Sequence, residues 1–276
     1  MAYPYISRNK DAMAMLSSHA EHIDLFLDSG AFTAWKSGVS ISLDDYCRFL
    51  EGCPVKPWRY FMLDVVGNPE ATMRNFREMV RRGFRPVPVF TAGSPAEYLE
   101  EYFAHSDLVG FGGIATKGSN ATRNYITFMM QRSRGRNVHL LGYTSLKYLK
   151  IFRPYSCDSN SWECGARYGS FCLYMGNGAS KTISRDDVRK GLDRRVITRV
   201  YELGCNPKDL FKNENWSGGL SIQRTLGGAS AVALSLDIQK HIGTRMFMAA
   251  TTGYAIRILI QNYLWQVYGV RERLAT

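Results

Sequence analysis

The sequence predicts an α/β protein with a parallel sheet, specifically a (β/α)8 TIM-type barrel in complete, incomplete or modified form. Three observations support this fold class. Short apolar runs alternate with helical segments, each run ends in glycine or a small polar residue, and six such units follow one another. Parallel strands are covered by helices on their faces, so they appear as short continuous apolar runs. Six successive units favour a barrel over an open sheet.

The six apolar runs are the predicted strands. An early GxGxxG fingerprint after a strand is missing from the sequence, which weakens the dinucleotide-binding alternative. In order along the chain, the runs occupy 23–27, 60–66, 86–90, 108–111, 138–141 and 155–157.

Two of the connecting segments carry helix-start signals. Asn68, Pro69 and Glu70 have the pattern of an N-cap, a proline at the first helical position and an acid in the first turn, and Gly83 supplies a stop. The run 94–97 (SPAE) predicts a capping box with proline at the first helical position. Strand, helix and strand at this spacing indicate βαβ units.

The composition of the chain changes near residue 180, where Arg, Lys and Asp become more frequent. We therefore predict a catalytic barrel core over 1–180 and a mostly helical segment over 181–276 that completes or flanks it, with no zinc subdomain. The run 171–175 is a candidate for a strand that closes the barrel. The apolar stretch 246–270 is interrupted by polar residues such as Arg257, so it predicts one or two buried helices rather than a membrane span.

The composition favours an anionic partner. The formal net charge is +11 and the sequence pI is near 9.4, and an excess of this size is typical of proteins that bind nucleic acid, although a merely soluble basic protein remains an alternative. None of the six cysteines forms a CxxC pair, which gives no support to a structural zinc site. The first ten residues lack an apolar leader segment, so reduced thiols and a cytoplasmic location are expected.

Three predicted strands carry an aspartate at or near the end of the strand, namely Asp28, Asp64 and Asp158. In a barrel the chemistry gathers at that end of the strands. Exchange at a glycosidic carbon suits two carboxylates, one as nucleophile and one for proton transfer, and a third can accept hydrogen bonds from a base. Each aspartate alone could equally cap a turn or pair with an arginine. Their recurrence in a basic chain favours function.

Five short motifs follow in one order along the chain and resemble those of the tRNA-guanine transglycosylases. The chain has Ala31 where that family has a second glycine, and it lacks the family's CxCxxC zinc motif. A compact relative without zinc is most similar to the phage-type, DpdA-type DNA-guanine transglycosylases, as is the run 158–162 (DSNSW). The five motifs are 27–32 (LDSGAF), 61–64 (FMLD), 112–115 (GGIA), 139–142 (HLLG) and 156–158 (SCD).

The resemblance implies a role for each matching residue. Asp158 attacks C1′ of the target sugar, Asp28 is the general base on the incoming base, and Asp64 accepts hydrogen bonds from the base's Watson–Crick edge. Backbone groups of Gly113 and Ile114 contact the base. The other implied base-binding residues are Phe32 and Leu141, which sandwich the ring, together with Ser29, Gly112 and Gly142.

The resemblance also implies a pentosyltransferase activity, in which guanine in DNA is exchanged for a 7-deazaguanine such as preQ0, a modification that resists restriction enzymes. The expected partners are DNA, as a duplex or an opened strand, and the free base, with no cofactor, metal or membrane; a homodimer is also compatible. The location is cytoplasmic, that of the host if a phage encodes the chain. The expected nucleic-acid contacts on mouth loops are Trp162, Arg167 and Lys117.

Three other interpretations stay open from the sequence. The same chemistry could act on tRNA, the chain could be a non-catalytic nucleic-acid-binding subunit of such an enzyme, or it could be an unrelated barrel enzyme that uses a phosphate-bearing small molecule. His139 lies in an apolar strand, and we predict a hydrogen-bonded core histidine rather than a ligand.

Overall fold

The computed structural model describes residues 1–114 and 119–270, and the chain divides into two compact units, Met1–Asp158 and Ser159–Thr276. The sequence predicted a boundary at residue 180 instead. A boundary there would cut the strand Ala179–Ser184, which belongs to a β-hairpin. The change in charge density near residue 180 therefore marks a surface feature of the second unit rather than its beginning.

The first unit contains six parallel strands, which confirms the predicted parallel α/β arrangement. Strand β1 pairs with β2, and β3, β4, β5 and β6 pair in that order. A parallel bridge between Phe61 and Val87 connects the two groups just after β2. Neighbours in space thus follow chain order. The strands are β1 Phe26–Leu27, β2 Arg59–Tyr60, β3 Val89–Phe90, β4 Val109–Phe111, β5 Val138–Leu140 and β6 Ser156–Ser159.

Helices connect these strands, as the βαβ pattern requires. Two short helices precede β1, and the connections from β1 to β6 each carry at least one more helix. The helices of the first unit are α1 Tyr3–Ile6, α2 Lys10–Ser18, α3 Ala31–Lys36, α4 Leu43–Gly52, α5 Pro69–Arg81, α6 Ala96–His105, α7 Ser119–Ser133 and α8 Leu146–Phe152.

Helix α5 begins as the sequence predicted. The Asn68 side chain accepts a hydrogen bond of 2.9 Å from the Ala71 N–H, which satisfies one of the free N–H groups at the helix start. Pro69 occupies the first helical position, where its missing N–H has no cost. Met73 and Phe76 lie on the buried face.

The capping box predicted for α6 is wrong. The helix begins at Ala96 with Pro95 as the N-cap residue, and Pro95 has no side chain that could accept the bond. The Ser94 hydroxyl instead lies 3.3 Å from the Thr91 hydroxyl in the preceding loop. Because Pro95 is the N-cap residue rather than the first helical residue, the helix begins one residue later than predicted. Ser94 therefore belongs to the preceding turn.

Rings from three strand segments meet in the interior of the first unit. The Phe26 ring of β1 stacks on the Phe61 ring at 4.3 Å between centroids. The His139 ring of β5 contacts both, at 5.0 Å and 5.2 Å. Gly110 in β4 leaves room for this cluster, because a Cβ there would lie 2.8 Å from Phe61 Cε1 and 2.9 Å from Leu141 Cδ1. The first and fifth strands therefore share one interior.

The second unit has a different architecture. Strands β7 (Ser170–Gly176) and β8 (Ala179–Ser184) form an antiparallel hairpin in a sheet of their own. The prediction that the run 171–175 closes a parallel barrel is therefore wrong. Phe171 and Ile183 are paired across the hairpin and begin a core with side chains of the helices that follow.

The predicted helical character of the C-terminal segment is confirmed, but the stretch 246–270 opens with strand β9 instead of a helix. Trp216 belongs to the buried core of this unit, and its indole N–H donates to the Leu210 carbonyl. None of the helices within residues 1–114 and 119–270 has the length and apolar character needed to cross a bilayer. The elements are α9 Arg185–Lys190, α10 Arg194–Glu202, α11 Ile222–Ile242, β9 Arg245–Met248, α12 Gly253–Tyr268, and the 3-10 helices Ser161–Tyr168, Pro207–Phe211 and Asn213–Trp216.

We predict that Gly110→Ala lowers the free energy of unfolding by about 1–3 kcal/mol, the usual cost of overfilling a packed core. The added methyl would press on Phe61 and Leu141. The matched control is Gly52→Ala at the exposed end of α4, where a Cβ meets nothing within 4 Å. Urea unfolding followed by circular dichroism measures both variants, and equal stability of the two contradicts this description of the interior.

Candidate active site

The three predicted aspartates all lie on the strand-end side of the first unit. Asp28 directly follows β1, Asp64 follows the Phe61 bridge beyond β2, and Asp158 lies within β6. All three side chains are half-buried. Because parallel strands in chain order present their carboxyl ends at one edge, this placement brings carboxyl groups from distant parts of the sequence to the same edge.

The backbone of Asp28 is held on both sides by the N-terminal segment. Its N–H donates to the Met1 carbonyl at 2.6 Å, and its carbonyl accepts from the Tyr3 N–H at 2.8 Å. Burial raises the pKa of the Asp28 carboxyl; the N-terminal ammonium opposes this shift, and the charge of Asp158 adds to it. A carboxyl in this setting takes up a proton more readily than an exposed one, which suits acid–base work.

The turn that follows Asp28 depends on Ser29 and Gly30. Gly30 has a φ of 78°, a left-handed conformation that glycine adopts without strain. A Cβ on Gly30 would also overlap the Pro4 ring. The buried Ser29 hydroxyl donates to Asp64 Oδ1 at 3.4 Å and accepts from the Ala31 N–H at 3.4 Å. This turn thus starts α3 and at the same time connects the β1 end to Asp64.

Asp64 has a strongly shifted carboxyl. Burial raises its pKa from the ordinary 3.8 to about 7, and the charge of Asp28 adds to the shift, while the Ser29 hydroxyl acts in the opposite direction. Near neutral pH the Asp64 side chain is therefore divided between a form that only accepts hydrogen bonds and a form that also donates one.

Asp158 is oriented by two donors on its Oδ1 atom. The Gly142 N–H donates at 2.7 Å, and His139 Nε2 lies at 3.1 Å. The Nδ1 atom of the same imidazole lies 2.8 Å from the Ser156 hydroxyl. An imidazole that donates from Nε2 to a carboxylate accepts at Nδ1 when it is neutral, so the Ser156 O–H is the donor in this chain of bonds. The chain fixes both the tautomer and the carboxylate.

Electrostatic coupling connects the three carboxyls. The charge of Asp28 raises the pKa of Asp64, and the charge of Asp158 raises the pKa of Asp28. Like charges shift one another in this way only at short range in a poorly solvated region. Asp64 therefore lies within electrostatic range of Asp28, and Asp28 lies within range of Asp158.

The glycine turn after β4 presents backbone next to this edge. The Gly112 carbonyl accepts from the Tyr125 hydroxyl at 3.0 Å, and a Cβ on Gly112 would lie 3.0 Å from Val89 Cγ1. Gly113 is exposed with a φ of 73°, whereas the Ile114 side chain is buried. Exposed backbone at Gly113 fits the predicted contact with a base, while the Ile114 side chain anchors the turn.

The two residues predicted to sandwich the base differ in their surroundings. Phe32 lies on the first turn of α3 with 47% of its surface exposed, and its ring contacts that of Trp35. Leu141 is half-buried and packs over Gly110. Phe32 thus has a free ring surface that a base could cover, and Leu141 joins the interior to the strand end.

The three predicted nucleic-acid contacts are not part of the described first unit. Trp162 and Arg167 belong to the second unit, and Lys117 lies outside the described residues. The Trp162 indole is buried, and its Nε1–H donates to the Ala249 carbonyl at 2.9 Å. That hydrogen bond and burial give Trp162 a packing role, whereas Arg167 is exposed.

Sequence reasoning missed the contribution of His139 and Ser156. The histidine was expected to be a satisfied core residue, and it is fully buried, but one of its two partners is the predicted nucleophile. The signal was present in the strand register. His139 and Ser156 are directly paired across β5 and β6, and Asp158, two residues after Ser156, points to the same face of β6.

No family model matches the chain, and no curated protein or solved structure matches it either. Within the residues that the structure describes, no group of three or more His, Cys, Asp or Glu side chains is arranged to hold a metal ion.

We predict that Asp64→Asn changes the pH dependence of stability. The folded protein binds the Asp64 proton more tightly than the unfolded chain, so the stabilisation is complete below pH 3.8 and is lost as the pH rises through about 7. Asparagine carries no such proton. Relative to wild type, the variant should gain about 1–2 kcal/mol between pH 5 and pH 8, a value discounted for partial exposure. Thermal melts across this range measure it, and a pH-independent difference contradicts the shifted pKa.

Proposed function

We propose that the chain is a guanine transglycosylase that exchanges guanine in DNA for a 7-deazaguanine base such as preQ0. One observation carries this proposal. Asp158 is oriented by the Gly142 N–H and by His139, while Asp28 lies within electrostatic range of it. A fixed carboxylate close to a second carboxyl whose pKa is raised by burial is the arrangement that displacement at a glycosidic carbon needs.

The frame that we propose for this site is a (β/α) barrel. Six parallel strands that neighbour one another in chain order support it. So does the contact between the Phe26 ring of β1 and the His139 ring of β5, because in a flat sheet of six strands these two positions would lie too far apart to touch. The strand-end site then lies at the mouth of the barrel.

The proposed reaction has two displacements. A carboxylate oxygen of Asp158 attacks C1′ of the target nucleotide, the C1′–N9 bond breaks, and guanine leaves with a proton from Asp28. The incoming base then returns its N9 proton to Asp28, N9 attacks C1′, and the ester bond to Asp158 breaks. The two half-reactions restore both carboxyl groups, so the net change is one base for another without redox chemistry.

Asp64 is the proposed reader of the base. Its ionised form accepts hydrogen bonds from the N–H groups of a guanine edge, and a 7-deazaguanine offers the same edge. The pKa of Asp64 is raised, so the side chain is partly protonated near neutral pH. A bound base with two N–H donors would shift it towards the ionised form. The Ser29 hydroxyl orients Oδ1, and the exposed Gly113 follows another strand end of the same unit.

The net charge of +11 supports a polyanionic substrate. The choice of DNA over tRNA rests on the resemblance of the short motifs, since the 2′-hydroxyl that distinguishes the two has no assigned reader. A non-catalytic nucleic-acid-binding subunit has no need for an Asp158 carboxylate held by two donors, and this favours the enzyme.

We predict that Asp158→Ala and Asp158→Asn both abolish incorporation of labelled 7-deazaguanine. Neither side chain can form the ester with C1′, yet asparagine keeps the shape and the bond from Gly142, so the Asn variant should still bind nucleic acid. The assay supplies duplex DNA, single-stranded DNA and tRNA in parallel. Incorporation only into tRNA would overturn the choice of DNA, and full activity of Asp158→Ala would overturn the mechanism.

We predict that His139→Phe combined with Ser156→Ala lowers kcat by about 10- to 100-fold with a small change in KM, because the ring still fills its place beside Phe26 while Asp158 loses an orienting donor. Removal of the serine hydroxyl avoids an unpaired buried group. Ser156→Ala alone is the control and should have a smaller effect. Equal loss in both variants would contradict a role that runs through His139.

A further inference from the structure

Helix α3 carries an exposed aromatic pair immediately after the Asp28 turn. Phe32 and Trp35 are 47% and 57% exposed, and their ring centroids lie 5.8 Å apart at an interplanar angle of 33°. The Lys36 ammonium lies 5.5 Å from the Phe32 ring centroid. We call these three residues the α3 row. A tryptophan with more than half of its surface in water forgoes the burial energy that a large ring normally contributes.

A second row of aromatic and basic residues, with half-buried rings, follows the Asp158 donor. Tyr143 comes directly after Gly142, and its ring lies 6.0 Å from that of Tyr148 in α8, again at 33°. The Lys147 ammonium lies 5.9 Å from the Tyr148 ring. We call Tyr143, Lys147 and Tyr148 the α8 row. Both rows thus begin within one helical turn of a residue of the carboxylate site, one after β1 and one after β5.

The charged side chains of the two rows are all positive. Neither α3 (AFTAWK) nor α8 (LKYLKIF) contains an acidic residue, whereas α6 (AEYLEEYFAH) contains three. Aromatic faces next to ammonium groups, without carboxylates, match a chain of bases joined by phosphates. Bases stack on the rings, and the ammonium groups pair with the phosphates.

We propose that Trp35 and Lys36 of the α3 row, together with the α8 row, bind the unpaired nucleotides that flank the target base in an opened strand, while Phe32 contacts the target base. This inference rests on the proposed function and extends it, because it assigns the contacts that hold the strand while the target base is in the site. Extrusion of a base leaves its neighbours without a stacking partner, and stacking on Trp35 or Tyr148 would offset part of that cost.

The test measures binding without turnover, in an Asp158→Asn background. Anisotropy of a labelled single-stranded DNA with one central guanine gives Kd for this background and after addition of Trp35→Ala, Tyr148→Ala or Phe128→Ala. Phe128 is the matched control, since its ring is 48% exposed with the Arg132 guanidinium 4.5 Å away, but it lies mid-helix on α7. We expect the first two changes to weaken binding about 5- to 100-fold and Phe128→Ala to leave Kd unchanged.

A second DNA, with abasic sugars on both sides of the guanine, keeps the phosphates and removes the flanking bases. On this DNA the effect of Trp35→Ala should disappear, and Trp35→Phe should retain most of the binding to the normal strand. Equal Kd values for Trp35→Ala and Phe128→Ala on the normal strand would overturn the proposal. Loss of a dimer in Trp35→Ala, seen by sedimentation with unchanged DNA affinity, would overturn it in favour of a second copy of the chain.

Failure of this inference is distinguishable from failure of the proposed function. Base exchange by the wild-type chain together with normal DNA affinity of Trp35→Ala and Tyr148→Ala removes the two rows and leaves the enzyme. Binding that depends on Trp35 without any base exchange by the wild-type chain supports the rows and removes the enzyme.

Discussion

The arrangement of the first unit depends on the repulsion among three carboxyl groups in one half-buried region. Burial and mutual charge raise the pKa of Asp28 and of Asp64, which opposes folding at neutral pH. At Asp28 the N-terminal ammonium and the Gly30 and Ser29 N–H groups offset part of this cost, and at Asp64 the Ser29 hydroxyl does so. An apolar set at these positions would be cheaper for stability alone, so a cluster held at such cost points to chemistry.

This constraint explains details that would otherwise look incidental. Gly30 must be glycine because the chain turns sharply after Asp28 to place Ser29 under Asp64 and to start α3 against Pro4. Gly142 follows the end of β5, where the Leu141 N–H still donates to the Phe111 carbonyl and the Gly142 N–H donates to Asp158 instead. Strand ends are the positions in a parallel sheet where such backbone groups are unpaired.

The sequence could predict the strand ends and the aspartates, because short buried strands closed by small residues have a local signature. It could not predict the partner of His139, since the registers of β5 and β6 are set by tertiary packing. The predicted start of α6 was wrong by one residue, because the local sequence is compatible with either Ser94 or Pro95 as the N-cap residue. The division of the chain at Asp158 has no compositional signal, as it falls inside the motif that carries the nucleophile.

His139 connects the core to the chemistry. Its imidazole ring contacts the rings of Phe26 and Phe61, and its two nitrogen atoms are hydrogen-bonded to Ser156 and Asp158. A change in interior packing is therefore expected to move the proposed nucleophile, whereas a change in the α3 or α8 row is expected to alter only how the proposed strand is held. In this proposal the orientation of Asp158 depends on buried residues, and contact with the strand depends on helices α3 and α8.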